Sequence, residues 1–330
     1  MIGRFAPRPM SDKRAERLLG ALACVVLLVI ALMVISVIDK AWPSFAHNGL
    51  GWFVSGSSSV DAQLTNIFNS PAKPDDFVYH LSAWPLLYAT ALITISALVL
   101  GLTFALMAAI FIVEFAPERL RRVLEPAVRL LAAVPSVIYG LIGVLVLVPF
   151  VGNHLISTER KESVIYVVQL SGGSLLVAVT ILTIMITPIM IALIVVALRA
   201  VPASWTEGSA ALGVNRWRTV WTISVRAVRP AIIGAAVLAC ARALGEAIML
   251  SMVSGSVGFA PNPLDGLTFA FEPARPLAAA IVEGAEGFSV KPYGETLYAF
   301  GAVLLISSLL LSVGAYYAKR SLRRYGVNPV

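Results

Sequence analysis

The stretch Ala231–Val253, with the sequence AIIGAAVLACARALGEAIMLSMV, decides the fold class of this chain. At about 1.5 Å per residue it is long enough to cross about 30 Å of hydrocarbon. Its only charged residues are Arg242 and Glu246. An arginine near the centre of a bilayer costs about 2.5–3.5 kcal/mol, so we predict that Arg242 acts on an anion that crosses the membrane. A structural Arg–Glu pair that joins helices is an alternative that the spacing also allows.

The composition of all 330 residues indicates a membrane protein. Apolar residues make up 58% of the chain, charged residues make up 13%, and the mean hydropathy is +0.87. This balance suits lipid and excludes an ordinary soluble domain. We therefore predict an all-α polytopic membrane protein with about six transmembrane helices. The expected spans are Leu18–Ile38, Leu81–Val113, Pro126–Phe150, Ser174–Leu198, Pro230–Val257 and Gly294–Ala318.

Basic residues are distributed unevenly between the segments that join these spans. With a cytoplasmic N-terminus, 18 Lys and Arg residues lie on the cytoplasmic side and 6 on the outer side. The positive-inside rule then places both termini in the cytoplasm. The net charge of +7 therefore reports membrane orientation and requires no nucleic-acid partner. We expect cytoplasmic segments at 1–17 and 319–330, a first span with its outer loop at 18–80, and a core of five spans at 81–318.

Two of the expected outer loops are long. The first, Asp39–His80, is rich in Gly, Ser, Asn and Pro, and it is predicted to be irregular. The last, Gly258–Tyr293, contains the apolar segment Pro276–Glu283, which is too short to span a bilayer. We predict a re-entrant or interfacial helix there.

Sequence motifs for catalysis and nucleotide binding are missing. There is no G-x-x-x-x-G-K-[ST] phosphate loop, no H-E-x-x-H pair and no G-x-S-x-G nucleophile elbow. His47, His80 and His154 lie in or beside outer loops and lack metal-ligand spacing. We therefore expect a chain that is not an enzyme and that holds no cofactor or metal of its own.

The third cytoplasmic segment, residues 201–228, predicts a helix–turn–helix on the membrane surface. Pro202 marks the start of the first helix, with Ser204 or Thr206 as its cap. Glu207 is expected in the first turn, where the helix dipole favours a carboxylate.

The second half of this segment predicts the turn and the second helix. Gly213 permits a left-handed turn, and Asn215 suits the start of the next helix. Trp217 and Trp221 are spaced to share one face of that helix. Small residues precede the turn and form a face that a partner can approach closely: Gly208, Ser209, Ala210 and Ala211. An amphipathic interfacial linker is the alternative interpretation.

Glu207–Gly213, with the sequence EGSAALG, resembles the E-A-A-x-x-x-G coupling loop of ABC importer permeases. In that family the loop enters a groove on a separate ATPase subunit and transmits its closure to the membrane helices. The resemblance assigns ATPase coupling to Glu207, Gly208, Ala210, Ala211 and Gly213. Two positions depart from the pattern: Gly208 replaces the usual first alanine, and Arg226 stands where a proline is usual, with Pro230 four residues later.

Four further motifs narrow the resemblance to the C-type permease subunit of the bacterial phosphate-specific transporter. They are EFAPERLRR at 114–122, LAAVPSVIYGL at 131–141, RALGEA at 242–247 and LYAFG at 297–301. Together with the coupling loop they cover roughly residues 81–318 in the family order. The resemblance implies a type I ABC importer permease in the bacterial cytoplasmic membrane.

The same resemblance implies partners and a path for the substrate. The expected partners are a second, A-type permease subunit, two copies of an ATPase that binds ATP and Mg²⁺, and an extracytoplasmic phosphate-binding protein. Arg242 is expected to line the anion path, because a guanidinium suits tetrahedral oxyanions. Glu246 is expected to hold Arg242 or to accept the proton of HPO₄²⁻.

Pro135 and Ser136 are expected early in the third span, as a hinge or as an ordinary kink of a membrane helix. Two other functions remain open from the sequence. One is import of another oxyanion, such as sulfate or molybdate, and the other is a secondary anion transporter or channel. The second requires related halves, and we find no internal repeat.

Overall fold

The computed structural model describes residues 9–54, 59–71, 73, 76–166 and 169–322. Four of the basic residues in the predicted cytoplasmic termini, Arg4, Arg8, Arg323 and Arg324, lie outside the described residues. Within the described part the chain is helical and forms no β-strand, apart from an isolated bridge between Gly255 and Ala274.

The α-helices follow one another along the chain with short connections. They are α1 Pro9–Asn48, α2 Val60–Phe68, α3 Trp84–Ile110, α4 Glu118–Ala133, α5 Ser136–Ile142, α6 Val148–Phe150, α7 Thr158–Ser163, α8 Leu175–Arg199, α9 Ala203–Ala211, α10 Arg216–Thr219, α11 Val225–Ala227, α12 Arg229–Leu244, α13 Ile248–Val253, α14 Leu277–Glu283 and α15 Tyr293–Leu322. π-Helical turns at Phe111–Phe115, Gly143–Leu147, Val151–Leu155 and Val220–Ser224 extend several of them, and 3₁₀ turns lie at Gly49–Phe53, Pro263–Phe271 and Ala285–Ser289.

Five helical segments of the described chain are long and apolar enough to cross a membrane. They are Arg14–Phe53, Trp84–Phe115, Ser136–Leu155, Leu175–Arg199 and Tyr293–Tyr317. A sixth span is complete if Arg216–Ala227 and Arg229–Leu244, which meet at a bend of 68°, are counted together. The structure thus agrees with the predicted fold class of a polytopic helical membrane protein.

The most buried span is α8, and its main neighbour is α3. The face of α3 toward α8 carries small residues four apart, among them Ala97, Gly101 and Ala105. A Cβ on Gly101 would lie 2.9 Å from Cε of Met190. Small side chains at this spacing let two membrane helices approach closely, which replaces the hydrophobic effect as the source of cohesion inside lipid.

A second buried cluster joins the first and last helices. The C-terminal half of α1 packs along α15, and Trp52, which follows α1, is fully buried with its ring centroid 6.0 Å from that of Phe300. The segment predicted as an irregular first loop is therefore more ordered than expected. α1 continues to Asn48, and α2 begins at Val60 with the Ser59 side chain as its cap.

The third span begins later than the sequence predicted. In place of a span at Pro126–Phe150, α4 ends at Ala133 and the span runs over Ser136–Leu155. Val134 and Pro135 between them have extended backbones, because proline disfavours a helical conformation in the residue before it. No residue of α4 is buried, so α4 lies on the surface of the bundle.

The fifth span is broken, whereas a continuous span was predicted over Pro230–Val257. Pro230 lies in the first turn of α12, where proline is tolerated, and the bend precedes it. The helix then ends at Leu244, and α13 begins at Ile248. The predicted helix within the last long loop is present as α14.

Candidate functional site

Arg242 lies in the last turn of α12 and is exposed on the surface of the bundle. A cation at this end of a helix is favoured by the helix dipole. Within the described residues Arg242 makes no hydrogen bond or ion pair. Its guanidinium is close enough to Tyr139 of α5 for an electrostatic interaction. The geometry leaves the five N–H donors of Arg242 available to an external acceptor.

Glu246 lies in the break between α12 and α13. Gly245 ends α12, and Glu246 is four residues after Arg242 but not on the same helix. The structure therefore does not form the i, i+4 pair that a continuous helix would have presented. Glu246 is 8% exposed, and its carboxylate has no hydrogen-bond or ion-pair partner among the described residues.

Gly140 of α5 and Gly143 of the π-helical turn that follows α5 bring this span against α13 beside the break. A Cβ on Gly140 would lie 3.1 Å from Cα of Met249, and a Cβ on Gly143 would lie 2.5 Å from Cγ1 of Val253. Both contacts are closer than ordinary van der Waals packing. The short helix that follows Glu246 is thus held directly by the helix that carries Tyr139.

The predicted hinge residues Pro135 and Ser136 lie between two helices, and Ser136 is the first residue of α5. The connection is bridged by Tyr139, whose hydroxyl donates to the carbonyl oxygen of Leu131 at 2.9 Å. Tyr139 is therefore linked both to α4 and to the surroundings of Arg242. Its place in the LAAVPSVIYGL motif was visible in the sequence, but its contacts with α4 and α12 were not.

The predicted helix–turn–helix is formed by α9, the turn at Gly213 and α10, and we call residues 203–219 the knob. Gly213 has φ of +75°, as its predicted left-handed turn requires. The Asn215 side chain accepts from the backbone N–H of Arg218 at 2.8 Å, which confirms Asn215 as the cap of α10. The oxygens of Ser209 and Thr219, Oγ and Oγ1, lie 2.8 Å apart and join the two helices.

Two details of the first helix differ from the prediction. Pro202 is the N-cap and no side chain caps α9; the Thr206 hydroxyl donates instead to the carbonyl of Ala203, and Ser204 does not cap. Glu207 is outside the first turn, because α9 begins at Ala203.

The coupling positions are at the surface of the knob. Its exposed residues include Glu207, Gly208, Ala210, Ala211 and Gly213. Leu212 at the tip is 84% exposed, a feature that sequence reasoning did not single out. A large apolar side chain flanked by small residues is suited to burial against another protein.

A charged network lies at the other end of the bundle, between segments far apart in sequence. Arg275 pairs with Asp61 of α2 at 2.5 Å and with Glu283 of α14 at 2.9 Å. Ser256 Oγ donates to Glu283 at 2.5 Å. Burial raises the pKa of the Glu283 carboxyl, while the Ser256 hydrogen bond and Arg275 oppose that shift. Sequence patterns could not predict this network, because Asp61 and Arg275, which form its ion pair, are 214 residues apart.

Glu272 precedes Arg275 by three residues in the chain and is almost fully buried, with 3% exposure. Burial raises the pKa of the Glu272 carboxyl, and the hydrogen bond from the backbone N–H of Asn262, 2.9 Å long, partly opposes the shift. Its backbone carbonyl accepts from Leu175 N at the start of α8, at 2.9 Å. In the described part of the chain no group of three His, Cys, Asp or Glu side chains is arranged to hold a metal ion.

Residues 101–324 match a protein-family model described as the inner membrane component of binding-protein-dependent transport systems. The Probable ABC transporter permease protein YqgH of Bacillus subtilis is 30% identical over 94% of this chain and 91% of its own length. The Probable phosphate transport system permease protein PstC of Methanocaldococcus jannaschii is 31% identical over 79% of this chain and 82% of its own length. The Phosphate transport system permease protein PstC 1 of Mycobacterium tuberculosis is 29% identical over 95% of this chain and 93% of its own length.

Two solved structures share the fold at low sequence identity. A chain of the bacterial alginate ABC transporter complex superposes with a TM-score of 0.58 at 14% identity, over 97% of this chain and 100% of that one. A chain of the inward-facing MetNI methionine ABC transporter superposes with a TM-score of 0.51 at 17% identity, over 72% and 96%. At these identities the likeness shows the fold alone.

Proposed function

Because the chain belongs to the family of inner membrane components of binding-protein-dependent transport systems, we propose that it carries inorganic phosphate into a bacterial cell. It is an ABC importer permease, a non-enzymatic subunit that spans the membrane several times. The observation that carries the choice of an anionic substrate is Arg242. It is exposed, it has no partner among the described residues, and the only other charged residue of α12 is Arg229 at the start of the helix.

The charge and shape of the Arg242 side chain fit a phosphate ion. A dianion that leaves water for a low-dielectric path needs a compensating positive charge. A guanidinium stays charged there and donates two parallel hydrogen bonds to a tetrahedral oxyanion. The cost of keeping an arginine at membrane depth is thus offset only while an anion or another acceptor is bound to it.

Glu246 is the residue to which we assign recognition of the phosphate proton. HPO₄²⁻ carries a proton that a carboxylate can accept in a hydrogen bond, whereas sulfate has none at neutral pH. The carboxylate of Glu246 is buried and has no partner within the described chain. Because Arg242 and Glu246 do not pair in the structure, each is free to contact a different side of one anion. Two relatives of this chain, both called PstC, are described as phosphate transport system permeases.

The knob is the part of the chain that we assign to a separate ATPase. Its coupling positions and Leu212 are exposed on one projection, as a docking element requires. ATP and Mg²⁺ bind the partner, and we propose two copies of that ATPase. The remaining partners are a second, A-type permease subunit and an extracytoplasmic phosphate-binding protein.

The orientation follows from the distribution of basic residues. We propose that both termini and the knob lie in the cytoplasm of a bacterium, with the Arg275 network at the outer surface. In that orientation α12 enters the bilayer from the knob, so a displacement of the knob acts on the helix that carries Arg242.

Uptake of labelled phosphate at micromolar concentration tests the proposal, in cells that lack the gene and carry the partner subunits. Wild type is expected to restore uptake in excess sulfate, and Glu207→Ala is expected to lower it with the protein still in the membrane. Restoration of sulfate or molybdate uptake in place of phosphate uptake would assign another oxyanion.

The role of Glu246 has its own test in the same cells. Glu246→Gln keeps the size of the side chain but removes the acceptor charge, so phosphate uptake should fall and sulfate should compete more strongly. Normal phosphate uptake with sulfate still excluded would refute proton recognition by Glu246 and leave the role of Arg242 intact.

A further inference from the structure

A surface groove of about 290 Å³ lies between α4 and α8, beside the end of α3. Its floor and walls are apolar and come from all three elements: Ile112, Val128, Ile191, Leu193, Val195 and Val196. Val196 is 65% exposed and Leu193 is 40% exposed. The chain therefore leaves this apolar groove uncovered.

Basic side chains close one end of the groove. Arg199 lines it and forms an ion pair with Glu125, which lines it as well. Arg129 also lines the groove, is exposed, and has no ion pair or hydrogen bond among the described residues. The three charges leave a net charge of plus one at the mouth, which matches the single negative charge of a phosphodiester.

The groove is placed where the head group of a lipid would meet it. Two spans, α3 and α8, end beside the groove, and α4 follows α3 directly. Arg121 of α4 holds that end of α3, since its Nε and Nη2 donate to the carbonyls of Ile112 and Val113 at 3.0 and 2.7 Å. α4 buries no residue, and its exposed apolar side chains include Val123 and Leu130. A helix of this kind lies in the interface between water and lipid.

We propose that the groove between α4 and α8 binds one anionic phospholipid from the leaflet in which α3 and α8 end. Its phosphodiester pairs with Arg129 and Arg199, and an acyl chain lies along Val195 and Val196. Basic pockets between membrane helices recognise acidic lipid head groups in this way. An apolar face of another protein would fill the groove but would leave Arg129 without a counter-charge. This site is independent of the proposed substrate.

Native mass spectrometry of the full chain, purified in detergent, tests the site. The probes are phosphatidylglycerol and phosphatidylcholine with identical acyl chains, and inorganic phosphate serves as competitor. We expect one phosphatidylglycerol to be retained in preference to phosphatidylcholine and not to be displaced by millimolar phosphate. Arg129→Gln should weaken retention about fivefold, the effect expected of one basic residue beside an acidic lipid.

Arg119→Gln is the matched control, because Arg119 is exposed on α4 and does not line the groove. It should retain the lipid as wild type does. Ala192→Phe fills the groove and should abolish retention with the basic residues intact. Equal retention of both lipids, equal loss in the two arginine variants, displacement by phosphate, or loss of the lipid when the second permease subunit binds would each overturn the proposal.

Discussion

Nε of Arg216 lies 3.7 Å from Oε2 of Glu114, and this ion pair joins the knob to the end of α3. The guanidinium of Arg216 also lies 5.3 Å from the ring centroid of Phe115, and the Trp217 ring is 6.2 Å from the same ring. The knob therefore contacts a second membrane helix besides the one that it precedes in the chain. A partner that displaces the knob would move the end of α3 with it.

Charge reversal at Arg216 tests this connection. Arg216→Glu places two carboxylates together, and we expect phosphate uptake to fall about twofold to fivefold, the range for an exposed ion pair. Glu114→Arg combined with Arg216→Glu should recover part of the loss. Arg218→Glu, an equal charge change on the same helix, should have no such effect. Uptake by Arg216→Glu at the wild-type rate would show that the pair carries no coupling.

Substitution of Gly213 should damage the knob through its backbone. A side chain at φ of +75° costs about 1–2 kcal/mol, so Gly213→Ala should lower the stability of the turn and reduce uptake. Gly20→Ala in α1 is the control, because Gly20 lies outside the knob and a Cβ there meets nothing within 4 Å. Alanine is the better helix former by about 1 kcal/mol, and we expect uptake to be unchanged. ATPase activity of the assembled transporter, with and without binding protein, reports both effects.

The contact between the π-helical turn after α5 and α13 should be sensitive to a single methyl group. Gly143→Ala would place a Cβ 2.5 Å from Cγ1 of Val253, which is fully buried. Overpacking of this kind costs about 1–3 kcal/mol, so the thermal midpoint of the purified protein should fall. Gly314→Ala in α15 meets nothing within 4 Å and should leave the midpoint equal or slightly higher. Equal midpoints for the two variants would contradict this packing.

The stability of the folded chain should depend on pH through Glu272. Burial raises the pKa of the Glu272 carboxyl in the folded state above its value in the unfolded state. Between these two pKa values the folded state binds a proton that the unfolded state has lost. The free energy of unfolding from this residue therefore falls as the pH rises through that window, starting near 4.5. Glu272→Gln should remove this part of the pH dependence. Thermal midpoints measured from pH 4 upward check this prediction. Glu286→Gln, at an exposed position, serves as the control. If the midpoint of Glu272→Gln changed with pH as steeply as that of wild type, Glu272 would not contribute to the pH dependence.

The sequence predicted the membrane fold and the positions of most spans because long apolar runs have few alternatives in water or lipid. It also predicted the turn at Gly213 and the cap at Asn215, which depend on local backbone preferences. Contacts between segments that are far apart in the sequence could not be predicted. The Arg275 network and the pair of Arg216 with Glu114 join segments whose proximity is a result of the folded bundle.

Two errors have one physical origin. A hydropathy pattern reports that residues are apolar, but it does not report where a helix stops. The prediction therefore merged α4 with α5 across Pro135, and α12 with α13 across Gly245. The second merger matters for function, because it placed Glu246 one turn above Arg242 on a continuous helix. In the structure the chain leaves the helix between them, and the two side chains do not form an ion pair with each other.

Binding of the anion by Arg242 during transport can be tested by uptake of labelled phosphate into proteoliposomes that contain the assembled transporter. Arg242→Ala removes the charge, and Arg242→Lys keeps it but loses the two-pronged geometry of the guanidinium. We expect uptake to fall on the order of a hundredfold for Ala, consistent with loss of charge-assisted hydrogen bonds to the anion worth about 3 kcal/mol, and less for Lys. Both variants should still assemble with the ATPase, and the assembled transporters should still hydrolyse ATP. Phosphate uptake by Arg242→Ala at the wild-type rate would show that Arg242 does not bind the transported anion.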